Sequence, residues 1–218
     1  MEDQEKELAF LSGALLFAVF LILLILVTQF NAFSSPAIIL SSVVLSLAGV
    51  FLGIVISRND FVIIMTMVGI ISLAGIVVNN AIVLVDYTNL IRRRKRERLN
   101  LDEATLVSDE DFKASVIEGG KTRLRPVLLT AITTILGLFP LASGLNINFF
   151  TLVSDWDPQI FFGGDNVIFF KPMSLAIIYG LTFATFLTLV VVPIMYYTIY
   201  RFKIWLFRKM DWSIKIEL

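Results

Sequence analysis

Five long apolar segments restrict what this chain can form. A lipid bilayer with a hydrocarbon core about 30 Å thick requires about 20 apolar residues of helix to cross it. Segments of about this length or longer are Leu8–Val27, Pro36–Ile56, Phe61–Leu90, Val127–Ser143 and Met173–Tyr200. They lack the period-two alternation of barrel strands. The sequence therefore predicts an all-α polytopic membrane protein with five transmembrane helices.

Composition excludes several other classes of protein. Hydrophobic residues make up 57% of the 218 residues and charged residues 17%, against about 45–50% and 25% in soluble domains. The chain has no cysteine and no histidine, which removes disulfides, thiolate and imidazole metal ligands, and histidine bases. Its net charge is zero, so nothing favours a nucleic-acid partner. We expect no catalytic residue, no cofactor and no metal site.

The distribution of Lys and Arg predicts the orientation. Fifteen of the 18 lie in a connection at 92–126 and a tail at 201–218, and an excess of these residues marks the cytoplasmic side. The N-terminus is then outside. The flank Glu2–Glu7 is acidic, unlike the basic start of a signal peptide. We interpret residues 1–7 as the stump of an exported domain within a longer product.

The connections between the segments differ in length. Those at 29–35 and 57–60 are short, so the first three helices, within 8–91, are expected to pack as antiparallel neighbours. The outer loop at 144–172 is rich in Asn, Asp, Gly and aromatic residues. We expect it to lie at the membrane interface or against an outer domain.

The basic connection at 92–126 is long enough to hold a surface helix. Ser108 followed by Asp111 resembles a capping box. The apolar residues after it share one helical face: Phe112, Val116 and Ile117. This helix is expected to end at Gly119-Gly120, before the fourth transmembrane helix begins at Val127.

Polar residues in the third segment are candidates for function, because polar groups in hydrocarbon must face protein or water. The residues are Asn79, Asn80 and Asp86. At 3.6 residues per turn, Asn79, Val83 and Asp86 share a face that runs towards the cytoplasm. The alternative is that these side chains form hydrogen bonds between packed helices.

The fourth segment carries further polar candidates. Arg123 and Arg125 are either part of a polar path or positive-inside anchors. Thr130, Thr133 and Thr134 either take part in such a path or donate to carbonyls of their own helix. The threonines of the fifth segment, Thr182, Thr185 and Thr188, are interpreted as packing residues.

A seam of small residues in the second segment predicts close helix packing. Its members are Ser42, Ser46, Gly49 and Gly53. Such residues permit two backbones to approach closely.

Three motifs resemble those of a known family: Gly75–Asp86 (GIVVNNAIVLVD), Arg123–Thr130 (RLRPVLLT) and Leu136–Ala142 (LGLFPLA). They are similar to motifs of the resistance-nodulation-division (RND) efflux permeases, in the last five of twelve transmembrane helices. The resemblance extends from about Leu8 to Arg201. It implies half of a helical transporter of the inner membrane, with a periplasmic N-terminus and a cytoplasmic C-terminus. It also implies a homotrimeric proton antiporter that works with a periplasmic adaptor and an outer-membrane channel to export amphiphilic compounds or metal ions.

The resemblance assigns roles to individual residues. The arginine and threonine of the family's proton relay fall on Arg123 and Thr130, and its lysine falls on Asn79. Asparagine cannot carry a charge, so the usual switching pair is incomplete, and Asp86 or a different ion is expected to participate. The aspartate-bearing helix and the substrate-binding domains of the family lie outside this chain, which therefore reads as a fragment not active alone.

Our leading hypothesis is that Asn79, Asn80, Asp86, Arg123 and Thr130 line or adjoin a polar path for the coupling ion. The alternative is a stand-alone membrane scaffold whose polar helix face binds partner helices in the lipid bilayer. A membrane-embedded enzyme would need a nucleophile and a base that the sequence does not offer.

Overall fold

A computed structural model describes residues 2–30, 33–100, 107–157 and 159–209. In these residues the chain forms six helices: α1 (Glu2–Phe30), α2 (Ser34–Ser57), α3 (Ile63–Arg98), α4 (Asp109–Ser143), a short α5 (Phe149–Ser154) and α6 (Asp165–Lys209). Two-residue strands, β1 (Leu145–Asn146) and β2 (Phe161–Phe162), form an antiparallel pair. Five of the helices are long and apolar enough to cross a membrane. This confirms the predicted all-α, five-helix membrane architecture. Parts of the predicted basic connection and tail, 101–106 and 210–218, lie outside the described residues.

Helices α2 and α3 coincide closely with the second and third predicted segments. Pro36 lies in the first turn of α2, where its missing N–H costs no helical hydrogen bond. The helix ends where Arg58 takes the left-handed conformation, with φ of 53°. Helix α3 has 36 residues, about 54 Å at 1.5 Å per residue. It therefore extends beyond the bilayer core, as expected.

The prediction that a surface helix ends before the fourth transmembrane helix begins is wrong. Helix α4 is continuous through Gly119, Gly120 and Pro126. A glycine ends a helix when it takes a left-handed backbone, and neither Gly119 nor Gly120 has a positive φ. Gly119 instead gives close contact with α3, since a Cβ built there would lie 2.6 Å from the Thr88 hydroxyl oxygen.

The predicted start of this helix is confirmed. The Ser108 hydroxyl accepts a hydrogen bond of 3.2 Å from the Asp111 backbone N–H. Phe112 and Val116 are buried, whereas Ile117 is 47% exposed. The expected apolar face therefore consists of Phe112 and Val116 without Ile117.

The outer loop is shorter than predicted, because α6 begins at Asp165 and not at Met173. Pro172 lies inside this helix. A proline in a membrane helix is tolerated because neighbouring groups can satisfy the freed carbonyl. The remaining loop is a hairpin, closed by a 3.0 Å hydrogen bond from the Gly163 N–H to the Gly144 carbonyl.

Helix α6 is the centre of the bundle and packs against α2, α3 and α4. At Gly180 of α6 a Cβ would lie 2.1 Å from Leu73 and 2.7 Å from Val50. Only glycine allows α2, α3 and α6 to meet at this point. The first three helices contact one another as expected. Helix α1 is nevertheless peripheral, because only 6% of the residues in its most apolar stretch are buried.

The small residues of α2 face α6. Ser42 and Ser46 are buried and donate to carbonyls of their own helix. A Cβ on Gly49 would lie 2.4 Å from Phe183, and one on Gly53 would lie 2.2 Å from Tyr179. The backbones of α2 and α6 therefore approach each other along this seam.

We call one end of the bundle the basic end. There α1, α3 and α6 end and α2 and α4 begin. It carries the cationic run 92–98 at the end of α3 and several cations near the end of α6.

Candidate functional site

The side of α3 that faces the bundle, its packed side, holds Asn80. The Asn80 side chain is 8% exposed. Across from it on α4, the Thr130 hydroxyl lies 3.4 Å from Asn80 Oδ1 and 2.9 Å from the Val127 carbonyl oxygen, and it donates towards both. An amide and a hydroxyl thus meet between two membrane helices.

Two turns nearer the basic end, Arg123 of α4 meets Tyr87 of α3. The guanidinium carbon lies 4.3 Å from the centre of the Tyr87 ring, within the range of a cation–π contact. Arg123 Nε is buried and has no hydrogen-bond partner among the described residues. Since Asn80 and Tyr87 are seven residues apart, as are Thr130 and Arg123, both contacts lie on one antiparallel seam.

The same seam continues to the start of α4. Lys95 of α3 forms an ion pair with Asp111. We refer to the pairs Asn80–Thr130, Tyr87–Arg123 and Lys95–Asp111 as the α3–α4 seam. From the middle of the bundle to its basic end, the seam consists of a hydrogen bond between neutral groups, then a cation–π contact, then an ion pair.

Asn79 and Asp86 lie on another side of α3. Both are exposed, as are Ser72 and Gly75. These four residues recur at spacings of three, four and seven and so share one helical face, which we call the exposed face of α3. A Cβ built on Gly75 would meet nothing within 4 Å.

The structure therefore divides the five candidate residues into two groups. It brings Asn80 and Thr130 together and places Arg123 on the same seam. It leaves Asn79 and Asp86 on the exposed face, away from those contacts. Asp86 also lines a pocket at the basic end.

The threonines of α4 satisfy their hydroxyls within the helix. Thr133 donates to the Leu129 carbonyl at 2.9 Å and Thr134 to the Thr130 carbonyl at 2.8 Å. The local bonding that the sequence allowed as an alternative is thus present in α4.

Sequence reasoning missed an aromatic cluster at the basic end. Phe112 stacks on Tyr200 with ring centres 3.6 Å apart and on Tyr196 at 5.5 Å. The Tyr196 hydroxyl donates to Asn89 and the Tyr200 hydroxyl to the Val107 carbonyl. The spacing of Tyr196 and Tyr200, one helical turn, was the available signal.

Tyr87 was also missed, although it lies seven residues after Asn80 on the same helical face.

Among the residues that the structure describes, no group of three or more Asp or Glu side chains is placed to hold a metal ion.

Comparison with known proteins gives consistent matches. Residues 2–146 match the model of the AcrB/AcrD/AcrF family. The chain is 36% identical over 190 residues to the swarming motility protein SwrC of Bacillus subtilis, and this alignment covers 87% of this chain and 15% of SwrC. It is 27% identical over 182 residues to the multidrug resistance protein MdtC of Erwinia tasmaniensis, covering 84% of this chain and 15% of MdtC.

A solved structure supports the same relationship. The crystal structure of a heavy metal efflux pump superposes with a TM-score of 0.68 at 27% identity, covering 91% of this chain and 16% of that one. The chain thus spans about 15% of the length of the relatives it matches.

Proposed function

Because the chain belongs to the AcrB/AcrD/AcrF family of RND efflux permeases, we propose that it supplies the last five of the twelve transmembrane helices of such a permease. In the assembled protein these helices contribute to coupling an ion gradient, carried by protons, to export. This is a family of transporters and not of enzymes. The chain acts together with the rest of the permease and is not active alone.

The exposed face of α3 is the observation that carries this proposal. A carboxylate costs about 2.5–3.5 kcal/mol at the centre of a membrane helix and less towards its end, where Asp86 lies, and asparagine is also disfavoured in hydrocarbon unless protein or water covers it. Asn79 and Asp86 are exposed on a helix that is otherwise apolar enough to span a bilayer. A polar path formed with the other half of the permease would cover them.

The α3–α4 seam supports a polar path beside that face. Arg123 is half-buried on this seam, with its guanidinium over the Tyr87 ring, and the accessible part of that guanidinium is the group that would meet a carboxylate from the other half. The Thr130 hydroxyl is already directed between α3 and α4. These are the positions that the resemblance assigns to the relay.

Asn79 changes how the relay operates. An asparagine at the lysine position exchanges hydrogen bonds but does not move a charge. Asp86 then serves as the carboxylate that α3 contributes, near the basic end of the path.

We place the permease in the inner membrane with the N-terminus periplasmic and the C-terminus cytoplasmic. The cations gathered at the basic end support this orientation. By family resemblance it is a homotrimer that works with a periplasmic adaptor and an outer-membrane channel. We propose amphiphilic compounds as its cargo and metal ions as the alternative cargo. The relatives include a multidrug resistance protein, which supports the first, and a heavy metal efflux pump, which supports the second.

Transport by the complete permease tests the proposal. The substitutions Asn79→Leu, Asp86→Leu and Thr130→Val together should abolish proton-driven efflux from proteoliposomes, because they remove the polar groups that the path requires. The matched control replaces three hydroxyls that bond to their own helices, Thr133→Val, Thr134→Val and Thr182→Val, and should retain efflux. Full efflux by the first triple variant would refute the path.

The scaffold hypothesis makes a different prediction about the native product. An RND permease would migrate in membranes at several times 24.5 kDa as one polypeptide under denaturing conditions. A denatured band at 24.5 kDa, recovered in a stable complex without efflux activity, would favour the scaffold.

A further inference from the structure

A pocket of about 620 Å³ opens at the basic end. It lies where α1 ends and α2 begins, and its other walls come from α3 and α6, with Val107 and Phe112 near the start of α4. Its position places it where the apolar segments give way to charged residues, which is the headgroup level of a bilayer.

Cations dominate the charged residues that line this pocket. They are Arg92, Arg93, Arg96 and Lys203, and among the lining residues Asp86 is the acidic one. Arg93 Nε lies 3.4 Å from Glu97, so part of its charge is balanced outside the pocket. The pocket remains cationic, and it favours an anion.

Hydrogen-bonding groups also line this pocket at the start of α2. Lys203 Nζ donates to Ser34 Oγ at 3.1 Å, which fixes the ammonium group at the N-terminus of α2. The buried Ser35 follows in the first turn and also lines the pocket. A helix N-terminus attracts anions, and hydroxyl, ammonium and guanidinium groups are common ligands of phosphate.

Apolar residues complete the pocket on the membrane side. Phe30, Ile38 and Ile199 line it together with the cations. Phe33 and Phe202 directly precede the pocket-lining residues Ser34 and Lys203 in the sequence, and their side chains are 79% and 59% exposed. A free phosphate ion would not use these surfaces, whereas the glycerol and acyl chains of a phospholipid would.

We propose that this pocket binds the phosphate headgroup of an anionic phospholipid from the membrane leaflet at the basic end. Arg92 and Lys203 contact the phosphate, and Phe30 and Ile38 contact the start of the acyl chains. The proposal requires only that the chain crosses the membrane; it does not depend on the proposed transport function.

Native mass spectrometry of the full chain tests this site. The chain is released from nanodiscs that contain equal amounts of phosphatidylglycerol and phosphatidylcholine, and the ratio of the two retained lipids is measured. We expect the wild type to retain phosphatidylglycerol preferentially. Arg92→Gln with Lys203→Gln should reduce that preference by about 25-fold, since each cation near a membrane surface contributes about fivefold.

The matched control removes one Lys and one Arg elsewhere on the same side of the chain. Lys121→Gln with Arg125→Gln changes two exposed cations of α4 that do not line the pocket, and it should leave the preference unchanged. An equal loss in both double variants would overturn the proposal, because the effect would then be general surface charge. The charge-preserving variant Arg92→Lys with Lys203→Arg should retain the preference.

Two further measurements address the source of the phosphate and the location of the lipid, and neither depends on the folding of a variant. Excess inorganic phosphate should not displace the retained lipid; complete displacement would show a free-anion site instead. In the unmodified chain, a photoreactive phosphatidylglycerol should label residues 29–30, 33–38 and 196–203. Even labelling of all segments at the basic end would also overturn the proposal.

Discussion

Asn79 and Asn80 are identical side chains at adjacent positions, yet they lie in opposite environments. Asn80 is buried on the packed side of α3 and accepts from Thr130 of α4. Asn79, rotated by about 100° around the helix, is exposed on the same face as Asp86. One of the pair makes a contact within this chain, and the other is the one that the proposed function pairs with the rest of the permease.

This difference shows that polar residues in a membrane helix are not one functional class. A group satisfied by a neighbouring helix contributes about 1 kcal/mol or less to stability. A group left exposed in an apolar helix costs free energy until a partner covers it. The packed side of α3 should therefore report on folding, and the exposed face on function in the assembled permease.

The largest expected effect on stability comes from glycines on the two sides of α3. A Cβ on Gly69 would lie 2.8 Å from the Met173 carbonyl oxygen of α6, whereas one on Gly75 would meet nothing within 4 Å. Gly69→Ala should lower the free energy of unfolding by about 2 kcal/mol, because backbone must move. Gly75→Ala should leave it unchanged or raise it by up to about 1 kcal/mol, through helix propensity.

Unfolding of the full chain by SDS titration in mixed micelles measures both variants. If Gly69→Ala and Gly75→Ala had equal stability, the assignment of these two sides of α3 would be wrong.

The contact between Arg123 and Tyr87 should give the next largest effect. A double-mutant cycle with Arg123→Met and Tyr87→Leu should yield a coupling free energy of about 1 kcal/mol in the same unfolding assay, as expected for a cation–π contact between half-buried side chains. Tyr87→Phe keeps the ring and should preserve most of the coupling. A coupling free energy of zero would indicate that Arg123 is held by groups other than Tyr87.

The smallest effect separates the two asparagines themselves. Asn80→Ala should destabilise the chain by about 0.6–1 kcal/mol, because it removes the contact with Thr130. Asn79→Ala should leave the free energy of unfolding within about 0.5 kcal/mol of the wild type, as is usual for exposed positions. The comparison fails if Asn79→Ala proves the more destabilising of the two.

Helix existence was readable from the sequence, but several boundaries were not. Helix α1 begins at Glu2, within the predicted stump, and α6 ends at Lys209, within the predicted tail. Gly119-Gly120 and Pro172 are local signals for helix termination, and both lie inside continuous helices. At Gly119 the deciding factor is the Thr88 hydroxyl on α3, a contact between positions 31 residues apart. Local propensity cannot register such a contact, and a weak preference yields to tertiary packing.

The candidate site was predicted only in part for the same reason. Helical periodicity placed Asn79 and Asp86 on one face, and the structure has both exposed there. The same periodicity places Tyr87 on the Asn80 face, yet nothing local indicates that Arg123 of α4 lies over its ring.

The sequence by itself determined that this chain is a membrane protein of five spanning helices, because a bilayer requires long apolar runs and their length is local information. It also supplied the family, through motifs that are contiguous along the chain. Only the tertiary structure decided which helix is central and which polar residues pair. Those outcomes depend on how surfaces of separate helices fit together, as where Gly180 lets α6 meet Leu73 and Val50, and such fit is a property of the assembled bundle.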